Sequence, residues 1–185
     1  MARAEAPETP TILAFDLDPG APADAIDWAQ VVLCVQEVLD AVGLVGFAKT
    51  SGSKGPQVSV PLNSDATTHQ HASSFALVVG QLLERQHPKH VLVEMAKAKR
   101  PGKVFVDWSQ NNHSKTTIGV YSLRAQPRPT ASTAITWDEV SSAVNSGDRA
   151  SLVFEAADVV ARLGEHGDLF AEVQSMQQEL PAPQG

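Results

Sequence analysis

ILAFDLDPG, residues 12–20, sets two aspartates one residue apart inside what otherwise reads as a buried strand. Successive strand residues point to opposite faces, so Phe15 and Leu17 share one side while Asp16 and Asp18 share the other. TILAFDL (11–17) is therefore expected to lie in a sheet with one covered face and one open face, and Asp18-Pro19-Gly20 is the turn that stops it. The next segment supplies the cover. From Ala23 to Val42, the apolar residues Ala25, Trp28, Val32, Val35, Leu39 and Val42 keep the three-and-four spacing of an amphipathic helix, and Gly43 ends it.

Working outward, VGFAKT (45–50) and QVSVPL (57–62) read as strands joined by SGSKGP into a hairpin with a Gly-rich loop. Residues 66–86 form a second helix with Ala72, Phe75, Val79 and Leu82 on one face, and HVLVEM (90–95) is the strand after it. The order β-α-β-β-α-β predicts an α+β fold of split βαβ, RRM-like type, a four-stranded sheet with two helices on one face. KVFVDW (103–108) and TTIGVYSL (116–123) are expected to add a strand pair across SQNNHSK. Two short C-terminal helices follow, one starting at the Thr136/Glu139 capping box and one over AADVVARLG (156–164), ended by Gly164. The expected organisation is a disordered Ala/Pro/Glu-rich lead-in over 1–10, one domain over 11–165, and a tail over 166–185 whose Pro-rich end, ELPAPQG, is frayed.

Composition narrows the function classes. A chain of 185 residues, 43% apolar and 19% charged, suits one globular domain with a real core. Apolar runs such as FALVVGQLL (75–83) are too short to cross a bilayer, and MARAEAPETP lacks a hydrophobic signal region, so a cytoplasmic protein with no membrane partner is expected. The single cysteine, Cys34, excludes disulfides and cysteine-ligated zinc as organising features. A net charge of −7 argues against non-specific coating of nucleic acid. Yet residues 85–128 carry nine Lys and Arg against only Glu94 and Asp107, a basic middle that suits either a solvated face or a polyanion site.

Asp16 and Asp18 project from the open face, where a carboxylate pair suits Mg²⁺ or Mn²⁺ sharing its remaining positions with substrate phosphates. Taken alone, the pair equally reads as a turn start and a solvent-facing acid. Asp107 alters that balance, because VFVDW repeats the strand-end acid, and three converging carboxylates stay ionised together only beside a cation. Two such ions would activate a hydroxyl and stabilise a leaving phosphate. The loop KTSGSKG (49–55) offers glycine N–H groups, the Ser51 and Ser53 hydroxyls and the Lys54 ammonium for phosphates, without the spacing of a Walker A loop. Arg124, in YSLRA, adds a fork-shaped donor. The histidines show no ligand spacing, and neither a GxSxG elbow nor a Rossmann glycine fingerprint is present.

FDLDPG, KTSGSKG followed by VPL, MAKAKR, KVFVDW with Asn111, and YSLRA together resemble, in order and spacing over residues 10–140, the polymerase domain of bacterial DNA ligase D, of the archaeo-eukaryotic primase superfamily. The resemblance implies a primase-polymerase palm in which Asp16, Asp18 and Asp107 bind two catalytic Mn²⁺ or Mg²⁺ ions. It also implies that Ser51, Lys54 and Arg124 contact the phosphates of an NTP or dNTP. The implied reaction adds nucleotides to a 3′-hydroxyl at DNA ends during non-homologous end joining, in a cytoplasmic, nucleoid-associated setting, beside a DNA ligase or end-bridging protein. Three departures are legible. Gln57 stands where the family's nucleotide-binding motif ends in histidine, and Gln110 stands where the family usually has arginine. The chain also begins ten residues before the first strand, where the family carries an N-terminal lobe. These departures keep open a catalytically degenerate nucleotide or DNA-end binding module, or a partner subunit of a repair ligase.

Overall fold

A computed structural model describes residues 2–3 and 5–182. The decisive stretch is a strand, and the lead-in before it is not irregular. β1 (Ala2–Arg3) and β2 (Ala6–Pro10) form a small antiparallel pair of their own, which overturns the expected disorder of residues 1–10 where they are described. Composition without periodicity hides such a ribbon, because its partner is itself. β3 (Ile12–Pro19) then alternates as expected: Leu13, Phe15 and Leu17 are buried, and the residues between them are half-buried.

α1 (Ala25–Ala41) starts at a capping box in which Asp24 accepts from the Ile26 N–H and Asp27 accepts from the Asp24 N–H, each at 2.8 Å. β4 (Phe47–Thr50) and β5 (Pro56–Pro61) form the expected antiparallel hairpin, and α2 (His69–Gln86) begins where Thr68 accepts from the His71 N–H. α1 and α2 cover one face of the sheet, burying Trp28, Val32, Val35, Leu39, Ala76, Val79 and Leu83 against Phe15, Leu17, Val58, Val60 and Val106. Each large aliphatic side chain removed from water this completely contributes about 1.5–3 kcal/mol before the entropy of ordering is set against it.

The sheet departs from expectation at its far side. HVLVEM shrinks to β6 (Val91–Leu92), which lies on the edge, and the fourth position beside β3 belongs to β7 (Val104–Asp107), antiparallel to β3 and parallel to β6. With β8 (Ala134–Ile135) beside β4, the six strands run β6-β7-β3-β5-β4-β8. TTIGVYSL is therefore not a strand. Both edges of β7 are already paired, so the segment lacks a ladder partner and makes only an isolated bridge at Leu123 to Ala131. α3 (Trp137–Ser146) starts at the Thr136/Glu139 capping box, and α4 (Ala156–His166) runs past Gly164 to stop at Gly167, which has φ +68°.

The tail is also placed. Phe170 and Val173 pack with Phe47, Ile12, Val120 and Tyr121 over part of the open face, Asn63 donates to the Val173 and Met176 carbonyls, and Leu180 is buried in the main core. Residues 183–185 lie outside the described residues. Among the described residues no helix is long and apolar enough to cross a membrane.

Candidate functional site

The tail covers the part of the sheet's open face around Ile12 and Phe47, and the acids lie beyond it. Register builds the site. Asp16 of β3 lies directly opposite Asp107 of β7 on one side and Gln57 of β5 on the other, and Gln57 lies opposite Lys49 of β4. The result is one cross-sheet row, Asp107, Asp16, Gln57, Lys49, on the face away from the helices. Asp18, two residues along β3, shares that face beside Phe105.

All seven residues singled out in the sequence, Asp16, Asp18, Asp107, Ser51, Lys54, Gln57 and Arg124, line a single open cleft of about 300 Å³. The hairpin loop forms one wall. An added Cβ on Gly55 would stand 1.9 Å from the Leu17 carbonyl oxygen, so the loop is pressed against β3 between the two aspartates. Gly52, at φ +66°, would set a Cβ 2.8 Å from Arg124 Cγ, which places that arginine's stem across the loop. The Ser51 N–H donates to Gly55 O at 3.0 Å, closing the turn, and Ser53 and Lys54 are exposed.

Burial pushes the Asp16 carboxyl above its ordinary range; a Gln57 hydrogen bond and Lys49 oppose the shift, while Asp107 and Asp18 add to it by repulsion. Gln57 is occupied at both ends of its amide, donating from Nε2 to Asp16 Oδ1 at 3.0 Å and accepting from Thr117 Oγ1 at 2.6 Å. Asp107 Oδ1 accepts from the Ser109 N–H at 3.0 Å and from its hydroxyl at 2.5 Å. Asp18 Oδ2 accepts from Arg100 Nη1 at 2.8 Å, and that guanidinium sits 3.8 Å over the Phe105 ring. Among the described residues no group of three His, Cys, Asp or Glu is already gathered at metal-ligand spacing. The donor set nevertheless fits a divalent cation: hard carboxylate oxygens meet on one face, and a cation beside Asp16 would offset the burial and the repulsion that together raise its carboxyl.

Three contributors escaped sequence reading. Lys49 is buried, and burial draws its ammonium down to about 8 although Asp16 pulls the other way; Arg124 adds to the lowering. Its signal was present in the alternation of β4, which sends Ala48 to the core and Lys49 to the open face. Arg100 stands in MAKAKR and Thr117 in TTIGVYSL, but only the folded register gives either one its partner.

Comparison with known proteins agrees with this fold. A family model described as the LigD primase-polymerase domain matches residues 1–170. The chain is 41% identical over 163 residues to the multifunctional non-homologous end joining DNA repair protein LigD of Mycobacterium tuberculosis, covering 88% of this chain and 21% of that protein. It is 26% identical over 172 residues to the bifunctional LigD of Bacillus subtilis, covering 93% of this chain and 27% of that one. The chain thus spans between a fifth and a third of the length of these curated relatives. Among solved structures, the polymerase domain of Mycobacterium tuberculosis ligase D in complex with DNA superimposes with a TM-score of 0.81 at 39% identity, over 91% of this chain and 56% of that one. With a family model over most of its length and a relative 41% identical over 88% of it, the chain belongs to the LigD primase-polymerase domain family.

Proposed function

We propose that this chain is a metal-dependent nucleotidyltransferase that adds nucleotides from an NTP or dNTP to a 3′-hydroxyl at DNA ends in non-homologous end joining. One observation carries the reading: Asp16 and Asp107 face each other across adjacent strands, with Asp18 beside them, in the same cleft as Ser51, Lys54 and Arg124. The family and the DNA-bound neighbour support it.

In this reading Lys54, Ser51 and Arg124 take the triphosphate, with the glycine-rich turn allowing close approach. Asp16, Asp18 and Asp107 hold Mn²⁺ or Mg²⁺, which when bound neutralises phosphate charge and lowers the pKa of the attacking hydroxyl. The 3′-oxygen bonds to the α-phosphorus, the bond from that phosphorus to the bridging oxygen breaks, pyrophosphate leaves, and the hydroxyl proton passes to water in the open cleft. Gln57, engaged by Asp16 and Thr117, holds the acid in place. The basic residues of 85–128 lie on the same part of the chain and suit the DNA backbone; the workplace is the cytoplasm, at the nucleoid, beside a DNA ligase or an end-bridging protein.

A second reading is favoured by a specific contact. Arg100 neutralises Asp18 and Gln57 occupies Asp16, the arrangement of a module that binds nucleotide or DNA ends, alone or as a ligase's partner subunit, without turnover. Primer extension with Mn²⁺ and labelled NTPs decides between them. Product from the native chain that is lost in Asp16→Ala supports transfer; folded protein that binds NTP and yields no product supports the binding module.

A further inference from the structure

Residues 112–122 cross the open face as a strap without regular structure. Its backbone meets the β4–β8 side of the molecule at its end, where the Tyr121 N–H donates to Ser132 O at 2.8 Å and the Ser122 carbonyl accepts from the Ser132 N–H at 2.9 Å. Upstream of that point side chains hold it. Gln110 Nε2 donates to Thr116 O at 2.6 Å, Thr117 Oγ1 donates to Gln57 Oε1 at 2.6 Å, and Lys49 Nζ donates to Ile118 O at 3.0 Å. Thr116, Thr117 and Ile118 line the cleft, so the strap is its second wall, opposite the glycine-rich loop.

Lys49 differs from the other two fasteners. It is only 2% exposed, and its ammonium reaches the strap carbonyl and the Ser132 hydroxyl, at 3.3 Å, from beneath the strap. An ammonium is rarely placed so far from water unless its hydrogen bonds are fixed there. Neither bond goes to an acid: one goes to the strap, and the other to Ser132, just before β8, whose carbonyl holds Tyr121. The strap then continues the connection, because Thr117 holds Gln57 and Gln57 holds Asp16.

We infer that Lys49 is a positioning residue: it fastens the strap at Ile118 and thereby fixes the Thr117–Gln57–Asp16 chain that shapes the nucleotide cleft. The kinetic part of this inference rests on the transferase reading, whereas the structural part does not.

The test uses the full chain and Lys49→Met, which keeps the apolar stem and removes the donor. Trypsin cleavage after Lys115, at the root of the strap, is expected to accelerate about tenfold, while cleavage after Lys97 and Lys99, in a turn the strap does not touch, stays within about twofold. The KM for NTP is expected to rise about tenfold with kcat within about threefold, and Lys49→Arg is expected to recover most of both. Unchanged cleavage after Lys115, acceleration at every site alike, or a fall in kcat at constant KM would overturn the inference. Should Lys49→Met fail to fold, the native chain decides: a scalar coupling across the hydrogen bond from Lys49 Nζ to the Ile118 carbonyl carbon is expected, and an ammonium that rotates freely refutes the fastening. A native chain without transfer would remove the functional reading and leave the cleavage and coupling results to judge Lys49 alone.

Discussion

Gly55→Ala places one methyl group where the loop meets the acid-bearing strand. The new Cβ would stand 1.9 Å from the Leu17 carbonyl oxygen and 3.1 Å from its carbon. Carbon and oxygen normally rest about 3.3–3.6 Å apart, so the loop or the strand must yield by more than about 1 Å. β3 is paired on both sides, to β5 and β7, which leaves the loop to move. Its retreat breaks the Ser51 N–H to Gly55 O bond and carries Lys54 away from the cleft. Overpacking costs about 1–3 kcal/mol and the hydrogen bond about 1 kcal/mol more. At about 2–4 °C per kcal/mol for a chain of this size, the melting temperature should fall by about 4–16 °C. A displacement of about 1 Å at phosphate-binding groups should lower kcat/KM for NTP by about a hundredfold. Gly164→Ala is the control: nothing lies within 4 Å of its Cβ, and a helix-interior Gly to Ala change should stabilise by about 0.5–1 kcal/mol with activity unchanged. A Gly55→Ala protein that melts within about 1 °C of the native chain and keeps its KM within about twofold would show that the loop is not seated on β3 as described.

Mn²⁺ at a hundred times its dissociation constant should stabilise the native chain by about 2.7 kcal/mol, a rise of several degrees in calorimetry; Asp16→Asn should lose that rise, and an equal rise in the variant would place the metal elsewhere. Gln57→Leu strands the Asp16 carboxylate and the Thr117 hydroxyl at once and should cost about 1–3 kcal/mol in denaturant unfolding, a neutral result showing that both find water instead. Burial pushes the Glu139 carboxyl up, but hydrogen bonds from Arg162 and the Thr136 N–H outweigh it and hold the group below its ordinary range. A lowered carboxyl contributes stability that is full above the unfolded value, about 4.3, and is lost as pH falls through the folded one. The stability gap between the native chain and Glu139→Gln should therefore be constant near neutrality and close in acid; a gap that persists at pH 2 would assign the contribution to packing.

What was legible in the sequence is what depends on neighbours along the chain. The alternation of ILAFDLD gives β3 its two faces without reference to any partner, and the Thr136/Glu139 spacing gives α3 its start. TTIGVYSL alternates as well, yet a strand also needs a vacant edge, and β6 and β3 have taken both edges of β7. Alternation likewise identified Asp16, Asp18 and Asp107 as strand-end acids on an open face. It could not pair Asp18 with Arg100, because that contact depends on how the turn over Lys97–Lys99 returns the chain to Phe105. Nor could it place the tail, whose Phe170 and Val173 find Phe47 and Ile12 across most of the chain's length.

The order of the cross-sheet row, Asp107, Asp16, Gln57, Lys49, also bears on why the site retains its charge. Like charges on facing residues are destabilising, and burial raises the Asp16 carboxyl further, so a cation next to Asp16 would be the simplest stabilising change. The chain does hold a buried cation on that row, but one position too far away. Gln57 stands between them, and its neutral amide bonds Asp16 while the Lys49 ammonium turns to Ile118 O and Ser132 Oγ. A lysine at position 57 would form a direct ion pair with Asp16 and remove the charge a divalent ion needs. With glutamine there, the attraction of Lys49 offsets part of the repulsion without neutralising the carboxylate, and the remaining negative charge faces the cleft that Ser51, Lys54 and Arg124 line. Gln57→Lys should therefore lose the Mn²⁺-dependent rise in melting temperature, whereas a variant that keeps the full rise would show that Asp16 does not supply the charge that draws the ion.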